Sequence, residues 1–194
     1  NLKKETELKI HNDLKFEKFY DIVININSIK NVSNEGWKIN FNEEGLKKYN
    51  TYKDKDLITI GVIGNNNKGK SFLLSKISKF NLPTGTSINT EGLSVKYPDL
   101  KGYEGRQIIF LDSAGLEMPV LRKNNKEKTV TELFLEHFII KVSDILLLVV
   151  GKLTYSEQLL INKIKVESQR QNKGRIFIVH NLQEFRLVDQ VEKY

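Results

Sequence analysis

From residue 57 onward, short apolar runs alternate with segments in which apolar residues recur at helical spacing. The apolar runs are rich in β-branched residues, which is typical of strands covered on both faces. Such alternation predicts an α/β fold, with three layers and a mainly parallel sheet between helices. The predicted buried strands are Leu57–Ile63, Gln107–Leu111, Ile145–Val150 and Arg175–Val179, with a shorter strand at Leu93–Tyr97. The predicted helices are Ser71–Lys79, Glu127–Val142 and Ser156–Gln169.

The first 55 residues follow a different pattern. Residues 1–20 are polar and charged, which predicts an arm or a short helix. Apolar and polar residues alternate in Asp21–Ile29 and in Trp37–Phe41, and a turn at residues 34–36 between them predicts a β-hairpin. The charged stretch Glu43–Lys55 predicts a connector. We therefore expect a small N-terminal β-hairpin extension at 1–55, packed on a larger domain at 56–194.

Composition narrows the function classes. The 194 residues include no cysteine, which excludes disulfides and thiolate metal sites. The longest apolar run, Ile145–Val150, is too short to cross a membrane, and no secretory segment opens the chain, so we expect a cytoplasmic protein. The net charge of +7 is spread over lysines interleaved with acidic residues, and a nucleic-acid partner is therefore not expected. Because the chain begins with Asn rather than Met, we also expect a fragment. It ends before any further base-binding loop can be identified, so we expect the larger domain to be incomplete at its C terminus.

A glycine-rich loop follows the first buried strand. Residues 64–71 match the pattern G-x-x-x-x-G-K-[ST] between a predicted strand and a predicted helix, the context that this pattern requires. Glycines let the backbone turn so that N–H groups point at phosphate oxygens, and the following helix adds positive charge from its N terminus. The loop therefore predicts a P-loop fold that binds a nucleoside triphosphate. The predicted nucleotide-binding residues here are Gly64, Asn65, Asn66, Asn67, Lys68, Gly69, Lys70, Ser71 and Phe72.

Several side chains near this loop have predicted chemical roles. Lys70 is expected to reach the β- and γ-phosphates, and the Ser71 hydroxyl to ligate magnesium. Asp112, after the next buried strand, is expected to hold a magnesium-bound water, and Gly115 to offer its N–H to the γ-phosphate. A loop threonine is also needed, to meet magnesium and orient the attacking water. Of Thr84, Thr86 and Thr90 we favour Thr90, because it directly precedes the turn into a strand.

Three short stretches carry a family resemblance. Gly-Lys-Ser-Phe-Leu-Leu at 69–74, Asn-Thr-Glu-Gly-Leu-Ser at 89–94 and Leu-Asp-Ser-Ala-Gly-Leu-Glu at 111–117 resemble the guanylate-binding-protein and atlastin branch of the dynamin-related large GTPases. The similarity extends over about residues 57–184. It implies that Thr90, Asp112 and Gly115 are switch residues. It also implies guanine nucleotide, magnesium and a nucleotide-dependent homodimer of GTPase domains.

The fourth loop residue departs from that branch. The branch usually has an arginine at the position of Asn67, where it neutralises transition-state charge. The adjacent Lys68 is not equivalent, because an ammonium lacks the planar donor geometry of a guanidinium. Asn67 instead resembles the potassium-activated bacterial GTPases, in which asparagine and a potassium ion replace the arginine. A catalytic role for Asn67 with K⁺ is therefore a hypothesis from the sequence.

The residues after the last predicted strand resemble a base-recognition motif. Guanine is commonly bound by Asn-Lys-x-Asp, whose carboxylate accepts the base N1 and N2 hydrogens. Here Asn181 and Glu184 keep the amide and the carboxylate at that spacing, while Leu182 replaces the lysine. The same residues also fit an ordinary helix N terminus with Asn181 as its cap.

Together the motifs predict a domain that binds GTP with Mg²⁺ and hydrolyses it to GDP. Two alternatives remain open. One is an ATPase or an unselective nucleoside triphosphatase, favoured if Glu184 does not contact the base. The other is a nucleotide-bound scaffold with little turnover, favoured by the missing loop arginine. The sequence indicates no particular membrane or protein partner.

Overall fold

The computed structural model describes residues 19–26, 28–80, 82, 92–113, 125–171, 175–183, 185 and 187–194. These residues contain seven strands and six helices, with a short 3₁₀ turn at Tyr103–Gly105. The strands are β1 Ile22–Asn25, β2 Lys38–Phe41, β3 Leu57–Ile63, β4 Leu93–Lys96, β5 Gln107–Ser113, β6 Ile145–Val150 and β7 Ile176–His180. The helices are α1 Ile29–Glu35, α2 Glu43–Tyr52, α3 Lys70–Ser78, α4 Asn125–Val142, α5 Tyr155–Arg170 and α6 Val188–Glu192.

The strands form one sheet in the order β2-β1-β4-β5-β3-β6-β7. β3 pairs in parallel with β5 and with β6, and β6 pairs in parallel with β7. β4 is antiparallel to β1 and β5, and β2 is antiparallel to β1, so β2 and β4 run against the other five strands. The predicted α/β fold class is confirmed. The carboxyl ends of β3, β5, β6 and β7 lie at one edge of the sheet, where ligands bind in folds of this kind.

Helices cover both faces of the sheet. Val62 and Ile63 are consecutive residues of β3, so their side chains point to opposite faces. Ile63 belongs to a core cluster with Ile139 of α4 and Ile164 of α5. Val62 belongs to a second cluster, with Leu74 of α3. None of the described helices is long and apolar enough to cross a membrane.

The two predicted N-terminal strands do pair, but the prediction that a tight turn connects them is wrong. β1 and β2 pair in antiparallel register, but helix α1 joins them, and α1 occupies the end of the predicted strand and most of the predicted turn. The helix begins after Ser28, whose hydroxyl accepts a hydrogen bond from the Asn31 N–H at 3.1 Å. Trp37, after the helix, packs against Phe134 and Phe138 of α4. Tertiary packing therefore stabilises a helix that the alternating sequence pattern did not predict.

The predicted charged connector at Glu43–Lys55 is also wrong, because most of it is helix α2. Asn42 caps this helix through its side chain, which accepts from the Gly45 N–H at 2.5 Å. Glu43 and Glu44 lie in the first turn, where acidic residues interact favourably with the helix dipole. Since β1 pairs with β4, this N-terminal region extends the same sheet. The domain boundary between residues 55 and 56 stays a prediction.

Strand β7 differs from the predicted buried strand at 175–179. Phe177 is 54% exposed and Ile178 is 46% exposed. Among the described residues, β7 is the last strand of the sheet and pairs with β6 alone. An edge position explains the exposure of both side chains.

Candidate nucleotide-binding site

The glycine-rich loop connects β3 to α3 at the carboxyl edge of the sheet. Gly64 has a φ of +155°, and a Cβ atom there would lie 2.2 Å from the carbonyl oxygen of Val149. Gly69 has a φ of +83°, and a Cβ atom there would lie 2.2 Å from Nδ2 of Asn181. A larger residue at either position would be strained and would clash. These two glycines therefore fix the course of the loop between β6 and the end of β7.

The side chain of Lys70 lies inside the curve of this loop. Its Nζ donates to the carbonyl oxygens of Gly64 at 3.2 Å and of Asn65 at 3.1 Å. Lys70 is 7% exposed. Burial lowers the pKa of its ammonium, and the negative charge of Asp112 partly opposes that shift. The loop thus holds a poorly solvated cation, which phosphate oxygens can stabilise.

Ser71 and Asp112 meet beside Lys70. The Ser71 hydroxyl donates to Oδ2 of Asp112 at 2.6 Å, although the residues lie 41 positions apart. Asp112 is fully buried, and its Oδ1 has no hydrogen-bond partner among the described residues. Magnesium binds oxygen ligands and usually keeps several waters, so one hydroxyl and one carboxylate with a free oxygen fit a magnesium–nucleotide site. The predicted metal ligands Ser71 and Asp112 are therefore brought together.

A third residue contacts the same carboxylate. The hydroxyl of Tyr20 donates to Oδ2 of Asp112 at 2.5 Å across 92 residues of sequence. Tyr20 is 1% exposed and belongs to the core cluster that contains Val62, Leu74 and Phe110. Oδ2 therefore accepts two hydroxyl donors, which fixes the orientation of the carboxylate.

The segment after β7 holds the loop from the outside. Nδ2 of Asn181 donates to the carbonyl of Lys68 at 2.9 Å, and Nε2 of Gln183 donates to the carbonyl of Asn67 at 3.1 Å. Asn67 has a φ of +57°, which is uncommon for a residue other than glycine. The two amides thus stabilise the outer half of the loop in an unusual backbone conformation.

One family model matches more than half of the chain. Residues 59–182 match the model of the 50S ribosome-binding GTPases. The chain belongs to this GTPase family. Its domain is therefore a P-loop GTPase domain, and such domains generally use Mg²⁺.

Individual relatives cover the domain to different extents. A heat shock protein of Dictyostelium discoideum is 28% identical over 188 residues, a match that covers 84% of this chain and 27% of that protein. The chain thus spans about a quarter of the length of this curated relative. The G domain of the T. maritima FeoB iron transporter covers 72% of this chain and 77% of its own, at 14% identity and a TM-score of 0.42. A variant of Aquifex aeolicus Era bound to GDP·AlF4⁻ covers 69% of this chain and 41% of its own, at 20% identity and a TM-score of 0.46.

The remaining predicted residues of the GTPase site fall into two groups. Asn65 is buried with its Oδ1 unpartnered among the described residues, while Asn67 is exposed. Asn66 is half-buried, and Phe72 is 47% exposed with the Lys76 ammonium 5.2 Å from its ring. The predicted residues Thr90, Gly115 and Glu184 lie outside the described residues, as do Thr84 and Thr86, so their roles stay predictions.

Sequence reasoning missed two residues of this site. Tyr20 lies in a polar segment outside the family match, and no motif marks it. Glu157 of α5 is 1% exposed, and its Oε1 lies 3.3 Å from Nζ of Lys68. A glycine at 151 makes room for this ion pair, because a Cβ atom there would lie 3.1 Å from the same Nζ. A charged residue three positions after the helix cap Thr154 was the available signal for Glu157, but its partner could not be inferred from sequence.

Proposed function

We propose that this chain binds GTP with Mg²⁺ and hydrolyses it to GDP, as the GTPase domain of a longer protein. One observation carries the proposal: the buried Lys70 ammonium lies next to the bonded pair Ser71 and Asp112, inside a P-loop of a GTPase-family chain. Catalysis of phosphoryl transfer depends mainly on positioning and electrostatic stabilisation. Lys70, Ser71 and Asp112 supply this positioning and electrostatic stabilisation.

The roles of the residues follow from their chemistry. Magnesium, when bound, neutralises negative charge that develops on the phosphate oxygens. Lys70 brings a second positive charge to the β- and γ-phosphates, while Ser71 and Asp112 hold the metal side of the site. Loop N–H groups and the N terminus of α3 bind phosphate oxygens. Thr90 and Gly115 complete this proposal as the residues that orient the attacking water.

Guanine recognition is assigned in this proposal to Asn181 and Glu184. The bond from Asn181 to the Lys68 carbonyl supports it, because that bond keeps the residues after β7 beside the phosphate loop. In this arrangement Asn181 organises the loop, and the Glu184 carboxylate accepts from the base.

We also propose that the domain belongs to the dynamin-related branch, with a homodimer that forms through the nucleotide face. The Gly-Lys-Ser-Phe-Leu-Leu stretch at the start of α3 supports this branch. Sedimentation of the domain with GDP, with GDP plus aluminium fluoride and without nucleotide tests it. A dimer that forms with the transition-state mimic alone is expected, and a monomer under all three conditions would argue against the branch.

A nucleotide-bound scaffold with little turnover is the second candidate. It is favoured by one contact: the Lys68 ammonium, the loop cation nearest to Asn67, is engaged by the buried Glu157. The loop therefore presents no second free cation to the γ-phosphate among its described side chains. Under the GTPase proposal, a potassium ion bound with the help of Asn67 supplies this charge.

Turnover in different salts separates these candidates. Phosphate release from saturating GTP and Mg²⁺ is measured in potassium and in sodium at equal ionic strength, for wild type and Asn67→Ala. The GTPase proposal predicts faster release in potassium, lost in Asn67→Ala. Equal rates in both salts would reject the potassium role, and no release in either would favour the scaffold.

A further inference from the structure

We propose that Tyr20 is a positioning residue of the nucleotide site, which holds the Asp112 carboxylate in the orientation that binds magnesium and thereby couples strand β1 to the bound nucleotide. The inference rests on the proposed function. Tyr20 lies outside residues 59–182 and so outside the part of the chain that the family model describes.

The geometry around Asp112 indicates positioning. Oδ2 accepts from both Ser71 and Tyr20, and Oδ1 is left without a partner among the described residues. The charge of Asp112 also acts on the buried Lys70 ammonium. A direct ion pair between Asp112 and Lys70 would engage both the proposed metal ligand and the proposed phosphate-binding cation. Donation by two hydroxyls to Oδ2 instead holds the carboxylate apart from the ammonium. The free Oδ1 stays available to the metal.

The backbone around Tyr20 is fixed by independent contacts. The carbonyl of Tyr20 accepts from Nδ2 of Asn42 at 2.7 Å, which ties it to the cap of α2. The next residue, Asp21, is fully buried, and its Oδ2 accepts from the Tyr97 N–H at 2.7 Å. The N–H of Asp21 donates to the carbonyl of Val95 at 2.9 Å. The phenol therefore extends from a rigid strand start, and its hydroxyl transmits that rigidity to Asp112.

The decisive experiment compares GDP affinity with Mg²⁺ and with EDTA, by calorimetry, in wild type and Tyr20→Phe. Phenylalanine keeps the ring in the core and removes the hydroxyl donor. We expect affinity with Mg²⁺ to fall about tenfold, which is the typical effect of losing a hydrogen bond to a charged group, and affinity in EDTA to stay within about twofold. The matched control is Tyr97→Phe, another buried tyrosine, for which both affinities should equal those of wild type.

A merely structural role predicts a different pattern. Tyr20→Phe would then weaken binding equally in Mg²⁺ and in EDTA, or not at all, and either result would overturn the inference. In an Asp112→Asn background, Tyr20→Phe should have no additional effect on the magnesium dependence. If wild type shows no magnesium-dependent nucleotide binding, the proposed function fails and the inference fails with it.

Hydrogen exchange of the wild-type protein tests the coupling without a variant. Amides of residues 21–25 should exchange more slowly with Mg²⁺ and GDP than with GDP in EDTA, because the ordered carboxylate holds Tyr20 in place. Equal exchange of these amides under both conditions, with the phosphate loop protected, would contradict the coupling to β1.

Discussion

Asn181 and Lys68 lie 113 residues apart, yet the side-chain amide of Asn181 donates to the backbone carbonyl of Lys68 at 2.9 Å. The bond connects the end of β7, where the predicted base-recognition motif begins, with the glycine-rich loop. Gly69 permits this approach, since any side chain there would collide with the Asn181 amide. The segment proposed to recognise the base and the loop proposed to bind phosphate are thus joined by a direct hydrogen bond.

Asn181→Ala should weaken binding of a non-hydrolysable GTP analogue about fivefold to tenfold, because a partly buried hydrogen bond is lost and the loop carbonyl is left unpaired. Calorimetry measures the affinity. Gln183→Ala removes a neighbouring but exposed amide contact and serves as the matched control, with an expected change of less than about twofold. Equal losses in both variants would contradict a special role for Asn181.

Lys70→Met should abolish nucleotide binding and change how stability depends on pH, because a buried charge that desolvation penalises is replaced by an apolar side chain of similar size. Denaturant unfolding measures the free energy of unfolding. The native-state pKa of Lys70 lies below its ordinary value of 10.5. The unfavourable contribution is therefore fully present below the lowered pKa and declines as pH rises from there towards 10.5. Wild type should therefore gain stability relative to the variant as pH rises over that range, and a stability difference that does not change with pH would contradict this account.

The Lys68–Glu157 ion pair should contribute more to stability than an exposed pair. A double-mutant cycle with Lys68→Met and Glu157→Gln should give a coupling of about 1 kcal/mol or more, because Glu157 is fully buried. The exposed pair Glu35 and Lys38 is the control, with an expected coupling near zero. The same coupling for both pairs would show that burial of Glu157 has no energetic effect.

GTP should bind at least about tenfold more tightly than ATP, or by about 1.4 kcal/mol. Under the proposed function, the Glu184 carboxylate would accept hydrogen bonds from guanine and would be left unpaired by adenine. Glu184→Ala should remove the preference, whereas Glu192→Ala, in helix α6, should keep it. Equal affinities of wild type for the two nucleotides would favour an unselective nucleoside triphosphatase.

The parts of this fold that could be predicted from sequence are those fixed by local pattern. The phosphate loop follows from eight consecutive residues, and β3, β5 and β6 follow from continuous apolar runs. Helices α1 and α2 were missed because the local pattern favoured a strand and a connector, while capping by Ser28 and Asn42 and tertiary packing favour helices.

Contacts between distant residues could not be predicted in the same way. The hydroxyl of Tyr20 reaches Asp112 because β1 and β4 bring the N-terminal segment next to β5, and no sequence motif encodes that pairing. The partner of Glu157 depends equally on tertiary structure. The contact between Ser71 and Asp112, by contrast, could be predicted, because Ser71 lies at the start of helix α3 and Asp112 near the carboxyl end of strand β5.

The central claim is that this loop holds the phosphates of GTP through Lys70. Its most direct test is calorimetric titration of a non-hydrolysable GTP analogue with Mg²⁺ into wild type and Lys70→Ala, with circular dichroism to establish that both are folded. The account predicts saturable binding at one site per chain for wild type and no measurable binding for the folded variant. Equal affinity in the two proteins, or no binding by folded wild type, would contradict it.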